Sequence, residues 1–129
     1  MKKLILLEYF TSQSSILKSK DKEIFREALS LSDSIIRNFI KSRDIKKIYV
    51  IRNKSLKTIV SKKVKTYFTN PETSYTDILK RFKKKSKVII IAPETNNLSS
   101  EIYSHVSRNH VVLGPVSYTH LTLPTIYSV

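Results

Sequence analysis

Two short segments of the chain are apolar at every position, and this feature constrains the fold more than any other. Leu4 to Leu7 form the first run, and Val88 to Ile91 form the second. A strand with one exposed face alternates apolar and polar residues, whereas a strand that is buried on both faces is apolar throughout. We therefore predict that both runs are central strands of a parallel sheet with both faces covered.

Between the two runs, the spacing of apolar residues alternates between strand and helix patterns. Asp21 is a candidate helix cap, and it precedes apolar residues at spacings of three and four: Ile24, Ala28, Leu31, Ile35 and Phe39. Further strands are predicted at 46–53, 64–70 and 110–114, with helices around 75–82 and 98–106. The connection 54–63 could be helical. Strands that alternate with helices imply right-handed crossovers. We predict an α/β domain of Rossmann-like, three-layer α/β/α type with a mostly parallel sheet of about five strands.

The length and composition fit one domain without a membrane anchor. The chain has 129 residues, no cysteine and no apolar run near the roughly 18 residues of a membrane span. The start of the chain lacks the features of a secretory signal. We expect a cytoplasmic protein with no membrane partner, and the lack of cysteine excludes disulfides and thiolate metal sites.

The net charge of +14 raises the question of nucleic-acid binding. Clustered Lys and Arg neutralise phosphates, but most of the basic residues here are scattered along the chain. The one dense run, "RFKKKSK" at 81–87, follows a predicted helix, where cations favour the helix dipole. No aromatic-interleaved basic strand is evident. From the charge alone we do not expect nucleic acid to be a partner.

The last fifteen residues differ abruptly in composition from the rest. All 34 Lys, Arg, Asp and Glu residues lie within residues 1–114, and residues 115–129 contain none. The segment "VSYTHLTLPT" resembles the in-frame translation of a transposon-end adaptor used in sequencing libraries. We therefore predict a native domain at 1–114 and a non-native tail at 115–129, with Pro115 at the junction.

A deletion tests the assignment of the tail. Removal of residues 116–129 should change the free energy of unfolding by less than about 1 kcal/mol, because nothing in the domain was selected to pack against them. Thermal denaturation of both chains measures the difference. A much larger loss of stability would contradict a non-native origin.

The scarcity of glycine excludes the common phosphate-binding loops. Gly114 is the only glycine, and such loops need glycine where the backbone approaches a phosphate or takes a positive φ. The hydroxyls of Thr11, Ser12, Ser14 and Ser15 have no base placed by sequence to activate them, so we predict loop and capping roles. His105 and His110 lack the spacing of a metal site, and we predict that both lie on the surface.

Two acidic residues follow predicted strands. Glu8 ends the first strand and Glu94 follows the fourth. If these strands are neighbours, both carboxylates meet at the crevice where doubly wound sheets bind ligands. The alternative is that Glu94 caps the next helix while Asn96 and Asn97 turn the chain. The two roles are compatible, and the sequence leaves both open.

The strand ends "LLEYF" and "IAPET", with the long helix and "VVLG", carry a resemblance to a known family. Residues 1–114 resemble the amino-terminal domain that precedes the ATP-grasp fold in ATP-grasp ligases, in particular the group of tyramine–glutamate ligase. That group has an "(F/L)EY" strand end and "IAPE" at the fourth strand. The segment "TSQSS" departs from the group, whose members often have glycines after the first strand.

The resemblance implies an inactive fragment of an enzyme that joins a carboxylate to an amine. ATP, Mg²⁺, the catalytic residues and the carboxy-terminal ATP-grasp domains would belong to the longer parent, so none is expected in this fragment. It further implies substrate-binding positions, which are Glu8, Tyr9, Ala92, Pro93 and Glu94. The alternative is a small stand-alone basic α/β module that binds RNA or an anionic metabolite.

Overall fold

The computed structural model of the chain describes residues 2–14, 22–82, 86–92, 101, 102, 104 and 111–116. Strands and helices alternate along these residues as β1 (Lys2–Glu8), α1 (Lys22–Ile40), β2 (Ile45–Asn53), β3 (Val64–Thr69), α2 (Tyr75–Arg81), β4 (Lys87–Ile91) and β5 (Val111–Val116). The protein is a mixed α/β fold with a parallel sheet, and the sequence analysis predicted this class correctly.

The strand order makes β1 the neighbour of both β2 and β4. The order is β3-β2-β1-β4-β5, and every pairing between neighbouring strands is parallel. The chain moves outward from β1 to β2 and β3, then returns across β1 to form β4. The crevice between β1 and β4 is therefore the point at which the order reverses, where open α/β sheets bind ligands. The sequence analysis made a shared site at the ends of β1 and β4 conditional on their being neighbours, and the two strands are neighbours.

Alternate residues of β1 contribute to two separate hydrophobic clusters. Ile5 and Leu7 pack with α2, and Leu6 packs with α1. The residues of β2 and β4 divide in the same way, because successive side chains of a strand point to opposite faces. The first cluster also contains Ile51, Ile78, Leu79, Val88, Ile90, Ala92 and Ile102; the second also contains Leu31, Ile36, Ile48, Val50 and Ile91.

Both helices follow from their sequence patterns. In α1, Ala28 and Leu31 of the predicted apolar stripe are buried, and so is the adjacent Ile36. The proposed cap, Asp21, lies outside the described residues. Helix α2 begins after Ser74, whose hydroxyl accepts a bond from the Asp77 amide while the Asp77 carboxylate accepts one from the Ser74 amide. This capping box fixes where α2 begins.

Three details differ from, or add to, the predicted elements. The connection 54–63 contains no helix; it consists of turns and extended chain, with Ile59 packed in the second cluster. Strand β5 continues past Gly114 and Pro115 to Val116, and the register shifts between Ile89 and Ile91, as expected where proline interrupts a ladder. Residues 101, 102 and 104 are helical, and the rest of the predicted third helix lies outside the described residues.

Among the described residues, none of the helices combines the length and the hydrophobicity that crossing a bilayer requires.

We predict that shortening two aliphatic side chains, one in the core and one on the surface, will change the free energy of unfolding by very different amounts. Ile90 is fully buried in β4, whereas Val60 in the connection before β3 is 94% exposed. Ile90→Ala should lower the free energy of unfolding by about 2–5 kcal/mol through lost burial and a cavity. Val60→Ala is the matched control and should change it by less than about 0.5 kcal/mol. Urea denaturation measures both, and equal effects would contradict the observed packing.

Candidate functional site

Parallel strands place their carboxyl ends at one edge of the sheet. Here β1, β2, β3 and β4 end at Glu8, Asn53, Thr69 and Ile91. The loop that follows β1, residues 9–14, forms hydrogen bonds with the ends of β2, β3 and β4. We take this carboxyl edge as the candidate site, and its geometry depends mainly on how the loop is held.

The Glu8 side chain closes the loop on itself. Glu8 is 1% exposed; its Oε1 accepts a bond of 2.6 Å from the Thr11 amide, and its Oε2 accepts one of 3.0 Å from the Phe10 amide. Burial raises the pKa of this carboxyl above its ordinary value, and this effect outweighs the opposing hydrogen bonds from Thr11 and Phe10 and the charge of Arg52. Glu8 therefore holds the loop from within; the family resemblance implied a substrate-binding position for this residue.

The remaining amides at the start of the loop also donate within the protein. The Tyr9 amide donates to the Ile91 carbonyl at 2.9 Å, and the Ser12 amide donates to the Glu8 carbonyl at 3.1 Å. The backbone amides of residues 9, 10, 11 and 12 therefore all donate hydrogen bonds within the protein. A loop that cradles phosphate must offer such amides to the ligand, so residues 9–12 in this conformation do not form a phosphate site.

Asn53 and Thr69 fasten the far part of the loop to β2 and β3. The Asn53 Nδ2 donates to the carbonyls of Gln13 and Ser14 at 2.8 and 3.0 Å, and the Asn53 amide donates to the Thr11 carbonyl at 2.7 Å. The Thr69 Oγ1 donates to the Gln13 carbonyl at 2.9 Å. The loop is therefore fixed across three strands by side chains that are themselves buried.

The hydroxyls of the loop bond to backbone carbonyls. Thr11 donates to Glu8, Ser12 donates to Tyr9, and Ser14 donates to Thr73. These contacts confirm the predicted loop role of Thr11, Ser12 and Ser14. Ser15 lies outside the described residues.

Arg52 joins the end of β2 to α1. It is 1% exposed, donates to the Ser32 hydroxyl at 2.8 Å and to the Lys57 carbonyl at 2.9 Å, and pairs with Asp33 at 2.9 Å. The Asp33 Oδ1 contact is an ion pair without hydrogen-bond alignment, and the buried Arg52 Nε has no hydrogen-bond partner among the described residues. A buried guanidinium needs such partners, and the contacts with Ser32 and Asp33 join β2 to α1.

Two tyrosines lie near the crevice between β1 and β4, and the charge of Glu101 acts on one of them. Tyr9 and Tyr75 both pack against the first cluster, which includes the buried Ala92. Burial raises the pKa of the Tyr75 hydroxyl above 10, and the neighbouring Tyr9 and Glu101 raise it further. Tyr9, Tyr75 and Glu101 are thus close enough to interact electrostatically. Phenol and carboxylate groups of this kind suit the orientation of a polar or cationic substrate.

The structure brings together only part of the predicted site. Tyr9 and Ala92 lie at the same crevice, and Glu8 lies beside them with its carboxylate bound to the loop; Pro93 and Glu94 lie outside the described residues. Sequence reasoning missed Asn53, Thr69, Tyr75 and Glu101. The polar ends of the second and third strands were a usable signal for Asn53 and Thr69, whereas Tyr75 and Glu101 are brought close only because Ile102 packs with α2 in the first cluster.

Among the described residues, no three His, Asp or Glu side chains are grouped closely enough to hold a metal ion.

Comparison with known proteins yields no relative: no protein-family model, curated protein or solved structure matches the chain.

We predict that substitution of Glu8 lowers the stability of the protein and that the size of the loss depends on pH. Glu8→Gln keeps the shape but sets an amide NH₂ against a backbone N–H, so the free energy of unfolding should fall by about 1–3 kcal/mol. A carboxyl with a raised pKa in the folded state stabilises most below its unfolded pKa, and this contribution is lost as pH rises through the folded pKa. The deficit of the variant should therefore be larger in mildly acidic buffer than at neutral pH.

Urea denaturation of wild type and variant at several pH values measures this difference. Glu72→Gln is the matched control, because Glu72 is exposed in the turn after β3. A deficit that grows with pH would contradict the raised pKa, and no deficit at any pH would contradict the bonds of Glu8 to the loop.

Proposed function

We propose that residues 1–114 are the amino-terminal domain of an ATP-grasp carboxylate–amine ligase. In this proposal the domain is a cytoplasmic, three-layer α/β/α unit, and the part of β5 before Pro115 is its fifth strand. It contributes the substrate side of the cleft and is inactive alone. The longer parent would supply ATP, Mg²⁺ and the residues that transfer the phosphoryl group.

One contact carries this proposal. The two motifs behind the family resemblance are about 80 residues apart in sequence, yet the Tyr9 amide donates to the Ile91 carbonyl at 2.9 Å. The "LEY" and "IA" strand ends therefore share the crevice where the strand order reverses. This position supports a role for Tyr9 and Ala92 in shaping a substrate site, with Glu94 predicted two residues beyond Ala92.

The closed loop after β1 also supports a ligase in which this domain contributes to the substrate site and other domains bind the nucleotide. Because Glu8 and two carbonyls occupy its first amides, this loop does not compete for nucleotide phosphates. In a ligase of this type the phosphates would be held by other domains, and phosphoryl transfer depends on amides, cations and Mg²⁺ that converge there.

The second candidate is a stand-alone basic α/β module that binds RNA or an anionic metabolite. It is favoured by one observation, which is an exposed lysine beside a cluster of aromatic rings on β2 and β3. The genomic reading frame separates the candidates. A continuation of about 200 residues that contains a glycine-rich, lysine-bearing loop supports the ligase, and a stop soon after Gly114 supports the module.

Two measurements test the ligase. The longer protein should release ADP when ATP, Mg²⁺, an amine and a carboxylate are all present, whereas residues 1–129 should show no saturable ATP binding by calorimetry at about 0.15 M salt. Diffuse attraction to a strongly basic surface is screened at that salt concentration. Micromolar, Mg²⁺-dependent binding by the short chain would overturn the proposal, as would a longer protein without ATP-dependent ligation.

In the longer protein, Glu94→Gln should lower kcat/KM by about tenfold to 150-fold. This corresponds to one lost charge-assisted contact of roughly 1.5–3 kcal/mol. Glu72→Gln is the matched control and should leave kcat/KM unchanged. Wild-type kinetics with an altered melting temperature for Glu94→Gln would leave that residue only the capping role.

A further inference from the structure

Three aromatic rings from separate elements meet on the β2–β3 side of the first cluster. The centroids of Tyr49 and Tyr67 are 5.9 Å apart, and Phe82 lies 5.3 Å from Tyr49 and 5.0 Å from Tyr67. We call Tyr49, Tyr67 and Phe82 the ring cluster. All three are partly buried and pack against the first cluster without being fully enclosed by it.

One exposed cation contacts the ring cluster, and two more directly precede Phe82 in the sequence. The Lys65 Nζ lies 5.2 Å from the centroid of the Tyr67 ring, within the range of a cation–π contact. Lys80 and Arg81 are exposed in the last turn of α2, directly before Phe82. The acid of α2, Asp77, lies in the first turn at the other end of the helix, where it is bonded to Ser74.

We propose that the ring cluster and these cations form a binding surface for single-stranded nucleic acid. Unstacked bases contact aromatic rings whatever their sequence, and each contact contributes about 1–3 kcal/mol. The cations would pair with the phosphates, which releases counterions. This proposal names the surface and the ligand class of the second candidate given above. It does not depend on the ligase assignment, because the crevice between β1 and β4 takes no part.

The arrangement favours a single strand over other polyanions. The bases of a duplex are stacked on one another and are not available to the rings. An acidic peptide would use the cations but gain nothing specific from Tyr67. The charge of +14 alone did not predict this surface. Lys65 and Tyr67 lie two residues apart on β3, but Tyr49 and Phe82 reach them only through strand pairing and the packing of α2.

Binding of oligonucleotides tests the surface. Fluorescence anisotropy of labelled oligo(U) and oligo(dT), each about 12 nucleotides long, should show saturable binding at about 0.1 M salt. Tyr67→Leu, which keeps an apolar side chain, should weaken binding about five- to 150-fold, the equivalent of roughly 1–3 kcal/mol. Lys65→Gln should weaken binding and reduce the slope of log K against log salt by about one. A preference for oligo(U) would identify RNA as the partner, and a preference for oligo(dT) would identify DNA.

Lys57→Gln is the matched control for charge. Lys57 is exposed on the connection after β2, which packs toward the second cluster through Ile59. The Lys57→Gln substitution removes the same charge as Lys65→Gln and should change the affinity for the oligonucleotide less than twofold. If Tyr67→Leu binds like wild type, or if Lys57→Gln weakens binding as much as Lys65→Gln does, the attraction is diffuse and the proposal is wrong. Absence of wild-type binding would also overturn it.

Photocrosslinking of the unaltered protein gives a second readout that does not depend on a folded variant. A thiouridine-containing oligonucleotide should crosslink to Tyr49, Tyr67 or Phe82, as identified by mass spectrometry. Crosslinks confined to other segments would overturn the proposal. Competition by poly-glutamate as strong as that by oligo(U) would also count against it, because a surface selective for bases discriminates between these polymers.

Discussion

Strand β1 is paired on both edges and packed on both faces, and the other elements take their positions from it. It bonds to β2 on one side and to β4 on the other. Its residues alternate between two hydrophobic clusters, one with α2 and the other with α1. Full burial requires that all its backbone polar groups be paired, which a parallel ladder on each side achieves. The reversal of strand order at β1, and so the crevice beside it, follows from this constraint.

The carboxyl edge shows how a chain with almost no glycine builds a tight loop. Glycine usually allows the backbone to approach a ligand or a neighbouring strand closely. Here side chains pair with the polar backbone groups of the loop instead. Glu8 accepts hydrogen bonds from two loop amides, while Asn53 and Thr69 donate to loop carbonyls. The result is a loop whose polar groups bond to the protein itself. In the proposed ligase, the groups that face the substrate would then belong to the crevice, where Tyr9 and Tyr75 lie.

The crevice and the ring cluster use the same sheet in different ways. The crevice lies at the carboxyl ends of β1 and β4, whereas the ring cluster lies on a face of β2 and β3 beside the end of α2. The first combines phenols with a carboxylate, and the second combines rings with cations. Their chemistries favour different ligands, so one domain could carry both without competition for the same residues.

The sequence alone determined the class of fold and the main elements. Apolar runs such as Val88 to Ile91 require burial on both faces, and helical spacing around Leu31 and Ile36 marks α1, so both are local signals. It could not determine that Glu8 turns its carboxylate inward, because that depends on the path of the loop past Asn53 and Thr69. Nor could it join Tyr9 to Tyr75 and Glu101, or Lys65 to Phe82. Tertiary structure decided these contacts, because they depend on the strand order and on helix packing between residues far apart in sequence.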